Sequence, residues 1–409
     1  MAIPAPAVGA ARLPLQDRLP HLFLPALLAG GLTLYLLMLA QAAAGHQDLD
    51  TYLTAGRNLV AGHPLYRDFL NHPFPDPTLR PAFIYPPLFA VVMAPFTFLP
   101  GAAVAWVWLL VTQAALAASL AVVLRYLHAS MAVIVASVTA SVTFYPLWVD
   151  AVQGQANLLV LLLTCFGMVW IARDRPVGAV AIGVAGAIKL TPLLLIVWLL
   201  VERRFRAVAL LLAGFVGATA VGALVRPGDT VTFFRDVAPA LASGTAFYSN
   251  QSLAGVLGRI FTANPYTTPW VVLPLGILLA GAAILLGAWW WSATRGEPDP
   301  LARGVSFIPL LLLLSAVTWP HHLVLLLPVA WLVIARLASR RWPQPQTLVF
   351  LGLIACLDVL PRWQAGPGFG QPGFKPSQTG DPIVLIAANA LFLGTLFVFL
   401  CGPWLLRSR

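Results

Sequence analysis

The chain has 409 residues, of which 60% are hydrophobic and only 9% charged, against roughly 25% charged in an ordinary soluble domain. That composition excludes a soluble enzyme and implies an integral membrane protein. The net charge of +10 is then a question of which side of a bilayer carries it, not of a nucleic-acid partner.

Apolar runs near 20 residues recur along the whole length with no long soluble stretch between them. This predicts a single membrane domain over residues 1–409 without a separate catalytic module. Arg12 and Arg18 precede the first run, 21–43, and place the N-terminus in the cytoplasm. That run is longer than a signal-peptide core and reads as a retained anchor. The first large polar insertion follows at about 44–87, opening with His46-Gln47-Asp48-Leu49-Asp50-Thr51-Tyr52. A loop this long reads as an active-site lid. Residues 86–99 are expected to be interfacial or re-entrant, because a full crossing there would put Arg125 outside.

Further spans are predicted at 102–124, 130–148 and 156–172, then a hairpin of short helices, 177–188 and 191–201, broken at Lys189-Leu190-Thr191-Pro192. Later spans are 207–225, 270–291, 304–319, 322–337, 345–361 and 382–406, with further outside segments at 226–269 and 361–381. The sum is an all-α polytopic membrane protein of about twelve transmembrane helices, both termini inside, with extracytoplasmic amphipathic or re-entrant helices. Inside segments then hold fifteen Lys and Arg with five acids, and outside segments nine of each. All the excess positive charge is cytoplasmic, as the inside bias requires. The working face is therefore the extracytoplasmic one.

Among the outside acids, Asp48 and Asp50 stand just past the end of a span, where a carboxylate can be aimed into a cavity at the membrane surface. Asp50 reads equally well as the cap of a helix beginning near Thr51; Asp48 is two residues too early for that and is the better candidate for chemistry. Lys189, at a helix break, is a point charge suited to a phosphate, or it snorkels to the surface. Arg259 could reach the same phosphate with its planar fork. His321 and His322 follow Trp319-Pro320, but no third ligand stands at a metal spacing, so hydrogen bonding to phosphate or sugar is favoured over metal binding. Gln155 and Asn157 either bond sugar hydroxyls or cap a helix. Asn250 and Gln251 open an amphipathic segment. Tyr52, Tyr66 and Tyr85 are proposed sugar contacts, whereas most of the tryptophans fit interfacial belts.

These pieces, in order, resemble glycosyltransferase family 87. The match runs through Asp48-Leu49-x-x-Tyr52, Gly62-x-Pro64-Leu65-Tyr66, Tyr85-Pro86-Pro87, Gly154-Gln155-x-Asn157, Ile188-Lys189-x-Thr191-Pro192, Asn250-Gln251-Ser252-Leu253 with Arg259, and Trp319-x-His321-His322-Leu323. The resemblance implies a bundle of the GT-C type in a bacterial cytoplasmic membrane. It also implies a mannosyltransferase whose donor substrate is a polyprenyl-phosphate sugar, with no other cofactor, and whose acceptor is a lipid or glycan on the extracytoplasmic face. In that reading Asp48 is the general base. Lys189, Arg259 and His322 hold the donor phosphate, while Asp50, Tyr52, Tyr66, Tyr85, Gln155, Asn157, Asn250, Gln251, Trp319 and His321 surround the substrates. The rival reading is a lipid or solute transporter using the same cavity. No inverted pair of broken helices supports it.

Overall fold

The computed structural model describes residues 15–43, 47–71, 81–261, 275–293, 299–342, 344–361 and 386–407. Among the described residues the regular structure is helical. Three helices, 103–126, 205–225 and 320–339, are long and apolar enough to cross a bilayer, and a bent pair, 131–143 with 145–153, makes a fourth. Nine shorter apolar helices accompany them, and large side chains such as Leu36, Leu110, Leu224 and Ile284 stand exposed. An apolar surface of that extent belongs in lipid. The chain is a polytopic membrane protein.

The first helix, α1 (Leu15–Ala42), leads into α2 (Gln47–Ala61), which lies on the bundle as an amphipathic bar. Its Leu49, Tyr52, Leu53 and Gly56 face inward, and Asp50, Thr54 and Arg57 face out, the spacing of one buried helical stripe. After α3 (Arg67–Asn71), α4 (Pro87–Met93) continues as a 3-10 turn, Ala94–Phe98. Together these twelve residues rise about 20 Å, less than the ~30 Å core of a bilayer.

Several predicted spans are broken. The run 130–148 is two helices, α6 (Met131–Thr143) and α7 (Tyr145–Gln153), bent by 55°; α5 (Gly101–Tyr126) precedes them. Pro146 biases the residues before it away from helix, and Phe144 is extended. Helix α8 is Asn157–Ala172 and α9 is Gly178–Ile188. Lys189 is extended at φ −149°, ψ 120°, followed by a 3-10 turn, Thr191–Leu194, and α10 (Leu195–Val201). The expected break is therefore in place.

Helix α11 (Phe205–Val225) packs on α9 at glycine contacts. A Cβ on Gly183 would run into Leu211 O and one on Gly214 into Val180 O, the close approach that small residues allow between membrane helices. Helices α12 (Pro227–Thr232), α13 (Ala238–Ala242) and α14 (Leu253–Phe261) form the second polar segment, before α15 (Leu275–Ala293). The run predicted at 304–319 is α16 (Pro300–Leu314), and an extended stretch over 315–319 then enters a 3-10 turn, Pro320–Leu326, and α17 (Leu327–Ser339). There is thus room between the two spans that the sequence reading did not allow. Helices α18 (Gln344–Ile354) and α19 (Ala390–Leu406) complete the bundle; residues 362–381 of the third polar segment lie outside the described residues.

At the end of α8 away from Asn157, ion pairs tie the helices. Glu202 accepts from Arg303 and Arg204, Arg204 also reaches Asp174 at 3.3 Å, and Asp299 accepts from Arg336 at 2.8 Å. The opposite end carries an ion pair too, Arg226 Nε to Asp229 Oδ2 at 2.7 Å, together with a cluster of a different make-up.

Candidate active site

Two amides at the start of α8 organise the site. Gln155 donates from Nε2 to Asp48 Oδ2 at 2.6 Å, and Asn157 Oδ1 accepts from Lys189 Nζ at 2.7 Å. Gly154 makes this possible: it ends α7 in the left-handed region at φ 68°, the usual glycine C-terminal turn. Its carbonyl is fixed by Trp108 Nε1 at 2.8 Å. The chain reverses there and sets both amides on one side.

Each amide has a fixed polarity. The hydroxyls of Tyr52 and Tyr85 lie 2.8 and 3.0 Å from Gln155 Oε1 and 2.7 Å from each other. The Asp48 carboxylate can only accept, so the NH2 points at it and the oxygen faces the two phenols. On the other branch Asn157 Nδ2 donates to Asp150 Oδ1 at 2.8 Å. The ammonium of Lys189 also stands over the Tyr85 ring, 5.4 Å from its centroid, a favourable cation–π placement.

Asp48 lies in the first turn of α2, half-buried. Burial pushes its carboxyl up to about 6, although the Gln155 hydrogen bond and the Lys189 charge pull the other way. A carboxylate poised there can accept a proton near neutral pH. Asp50 is also in that first turn and points to solvent. The helix begins at Gln47 and not near Thr51, so Asp50 is not its cap.

The 3-10 turn carrying the histidines packs on α7 and α8. His322 Nδ1 accepts from Trp319 N at 3.3 Å, which leaves the proton of a neutral ring on Nε2. That nitrogen and Nδ1 of His321 are buried without a hydrogen-bond partner among the described residues. Such atoms are costly unless something else meets them.

Other predicted contacts have a different job. Tyr66 is buried and gives its hydroxyl to Tyr85 O at 2.7 Å, bracing the segment that carries Tyr85. Tyr52 and Tyr85 are likewise buried and act on Gln155, so none of the three tyrosines presents an open face to a sugar. Asn250 donates to Thr245 O and Ala316 O and accepts from Ser252 N and Thr318 N. Its polar capacity is full. Gln251 donates to Tyr248 O and Ala388 O and accepts from Phe392 N. Arg259 spends its fork on Phe247 O, Asn250 O and Asn389 Oδ1. No hydrogen bond or ion pair joins it to Asp48, Asn157 or Lys189 among the described residues. Asn250 thus ties the 245–252 turn to the 316–318 stretch, and Gln251 and Arg259 tie it to residues 388–392. Half-buried Trp319 stands beside the turn, its ring 6.0 Å from that of Phe247.

The residue that the sequence reading passed over is Asp150. It was one of nine outside acids, and only the bend at Phe144 turns it inward. A lone acid in an apolar run was the available signal.

The model of glycosyltransferase family 87 matches residues 83–316. The chain belongs to that family. It is a membrane glycosyltransferase, and the matched segment contains Asp150, Gln155, Asn157 and Lys189. A phosphatidylinositol mannoside mannosyltransferase of Mycobacterium tuberculosis, dependent on polyprenol-phosphate-mannose, is 28% identical over 338 residues, 77% of this chain and 75% of its own length. A pentamannoside mannosyltransferase of Mycolicibacterium smegmatis is 30% identical over 311 residues, 73% of this chain and 72% of its own. An alpha-(1->3)-arabinofuranosyltransferase of M. tuberculosis is 27% identical over 332 residues, 77% and 71%. No solved structure matches the chain.

Proposed function

We propose that this family 87 enzyme transfers a hexose, mannose, from a polyprenyl-phosphate carrier to a lipid or glycan acceptor, with inversion. It would work at the extracytoplasmic face of a bacterial cytoplasmic membrane, in a GT-C-type bundle of about twelve passes with both termini inside. The observation that carries the reading is the pair of amides two residues apart, one holding a carboxylate and the other an ammonium.

Transfer from a sugar phosphate needs a base for the acceptor hydroxyl and positive or hydrogen-bonding groups for the departing phosphate. Asp48 Oδ1 takes the acceptor proton while Gln155 holds Oδ2. Lys189 and the Nε2–H of His322 meet the phosphate oxygens. Phosphate leaves without protonation, so a second carboxylic acid is not required and a single displacement inverts the anomeric centre. An apolar groove between α6, α17, α18 and α19 offers the carrier chain a place within the bilayer. Its walls include Phe144, six residues before Asp150, and Leu326, four after His322.

The test is transfer by purified protein from polyprenyl-phosphate mannose, with polyprenyl-phosphate arabinofuranose as the competing donor and phosphatidylinositol mannosides among the acceptors. Mannosyl transfer with an inverted anomeric centre is expected. Arabinosyl transfer alone would replace the donor sugar, and carriage of lipid without turnover would favour a transporter.

A further inference from the structure

We infer that Asp150 is a positioning residue: it sets the direction of the Asn157 amide and thereby aims Lys189 at the donor phosphate. The inference rests on the donor reading above for what Lys189 binds. Asn157 stands between two groups of opposite hydrogen-bonding character. Lys189 can only donate, and the Asp150 carboxylate can only accept. Just one orientation of an amide satisfies both, with oxygen toward Lys189 Nζ at 2.7 Å and nitrogen toward Asp150 Oδ1 at 2.8 Å. Without Asp150 the Nδ2 end of the amide loses its acceptor, and the side chain is held from the Lys189 end alone. An amide anchored at one end no longer fixes where the ammonium sits.

The backbone of Asp150 serves the same turn, since its carbonyl accepts from Gln155 N at 2.9 Å. The carboxylate is 1% exposed, and Oδ2 has no hydrogen-bond partner among the described residues. A group so costly to bury is held in place by its own position: Asp358 Oδ1 accepts from Tyr145 N at 2.7 Å, at the start of the helix that carries Asp150. At Gln155 the acceptor-only group is Asp48 itself.

The test reads the dissociation constant of the full-length protein for polyprenyl phosphate, which needs no turnover. Asp150→Leu should weaken binding at least tenfold and leave the acceptor KM unchanged. Asp150→Asn keeps an acceptor oxygen at the same place and should stay within about threefold of wild type. Adding Asn157→Asp to Asp150→Leu should restore binding, because a carboxylate has no polarity to orient and either oxygen meets the lysine. A purely structural Asp150 would not be rescued in this way.

Where Asp150→Leu does not fold, Asp150→Ala takes its place with the same expectations. Unchanged binding in Asp150→Leu, loss in Asp150→Asn equal to that in Asp150→Leu, or failure of Asn157→Asp to restore a folded protein would each overturn the inference. So would wild-type binding by Lys189→Ala. Absence of sugar transfer by the wild type, with these binding effects present, would instead count against the proposed function alone.

Discussion

Asp48 and Asp50 are neighbours on one helical turn with opposite fates, and substitution separates them. Asp48→Asn fits the same hydrogen bonds, because the new amide can turn its oxygen to Gln155 Nε2 where the carboxylate oxygen stood. Transfer should fall by about 10²–10⁴-fold, as for loss of a general base, while polyprenyl phosphate still binds. Asp50→Asn should stay within about threefold, measured in the same assay, since that side chain points to solvent and contributes chiefly to the helix dipole. In the wild type, kcat/KM should fall about tenfold per pH unit below about 6, where Asp48 takes up its proton. The stability consequence has the opposite sense. An acid whose folded value of about 6 exceeds its ordinary value of 3.8 makes the wild type less stable as pH rises through that window. Thermal unfolding in detergent should show a steeper slope in the wild type than in Asp48→Asn. Ordered motifs frame Asp48, Lys189, Gln155 and Asn157 in the sequence, and the structure brings these four together. Arg259, Asn250 and Gln251 bond to backbone and to Asn389, and polarity alone does not say whether a side chain's partners are a ligand or its own protein.

At the scale of helices, the break at Lys189 was legible from Thr191-Pro192 and the short rise of 86–99 from the charge balance. The division of 130–148 into two helices was not, although Pro146 stood in the run. An apolar stretch of span length reads the same whether straight or bent, and the bend depends on α7 packing against the turn that carries the histidines. Helix contacts also sort glycines that look alike in sequence. Gly183→Ala would drive a Cβ into Leu211 backbone, whereas Gly217 on α11 has nothing within 4 Å. The first substitution should cost roughly 1–3 kcal/mol as overpacking; the second should be neutral or stabilise by up to about 1 kcal/mol through helix propensity. Chemical unfolding in detergent compares them directly, and equal effects would mean that α9 and α11 do not meet at Gly183.

Across the whole molecule, Asp48, Gln155, Asn157 and Lys189 gather at one end of α8, and the apolar groove leads along the bundle from that end. Its Leu326 wall stands about 8 Å from His322 along the 3-10 turn, and its Phe144 wall about 9 Å from Asp150 along α7. A carrier chain leaving a phosphate at Lys189 would therefore enter the groove only after its first units. Ala330 lines the groove and is half-buried, so Ala330→Phe fills space that the chain would occupy. Donor KM should rise about tenfold for a long polyprenyl phosphate sugar and stay unchanged for a single-isoprene analogue, whose tail ends before the groove. An equal rise for both donors would mean that the substitution reaches the phosphate site through the packing of α17. No change for either would mean that the chain leaves the site between other helices. The long and short donors thus report on the groove and on the phosphate separately, with the same protein in the same assay.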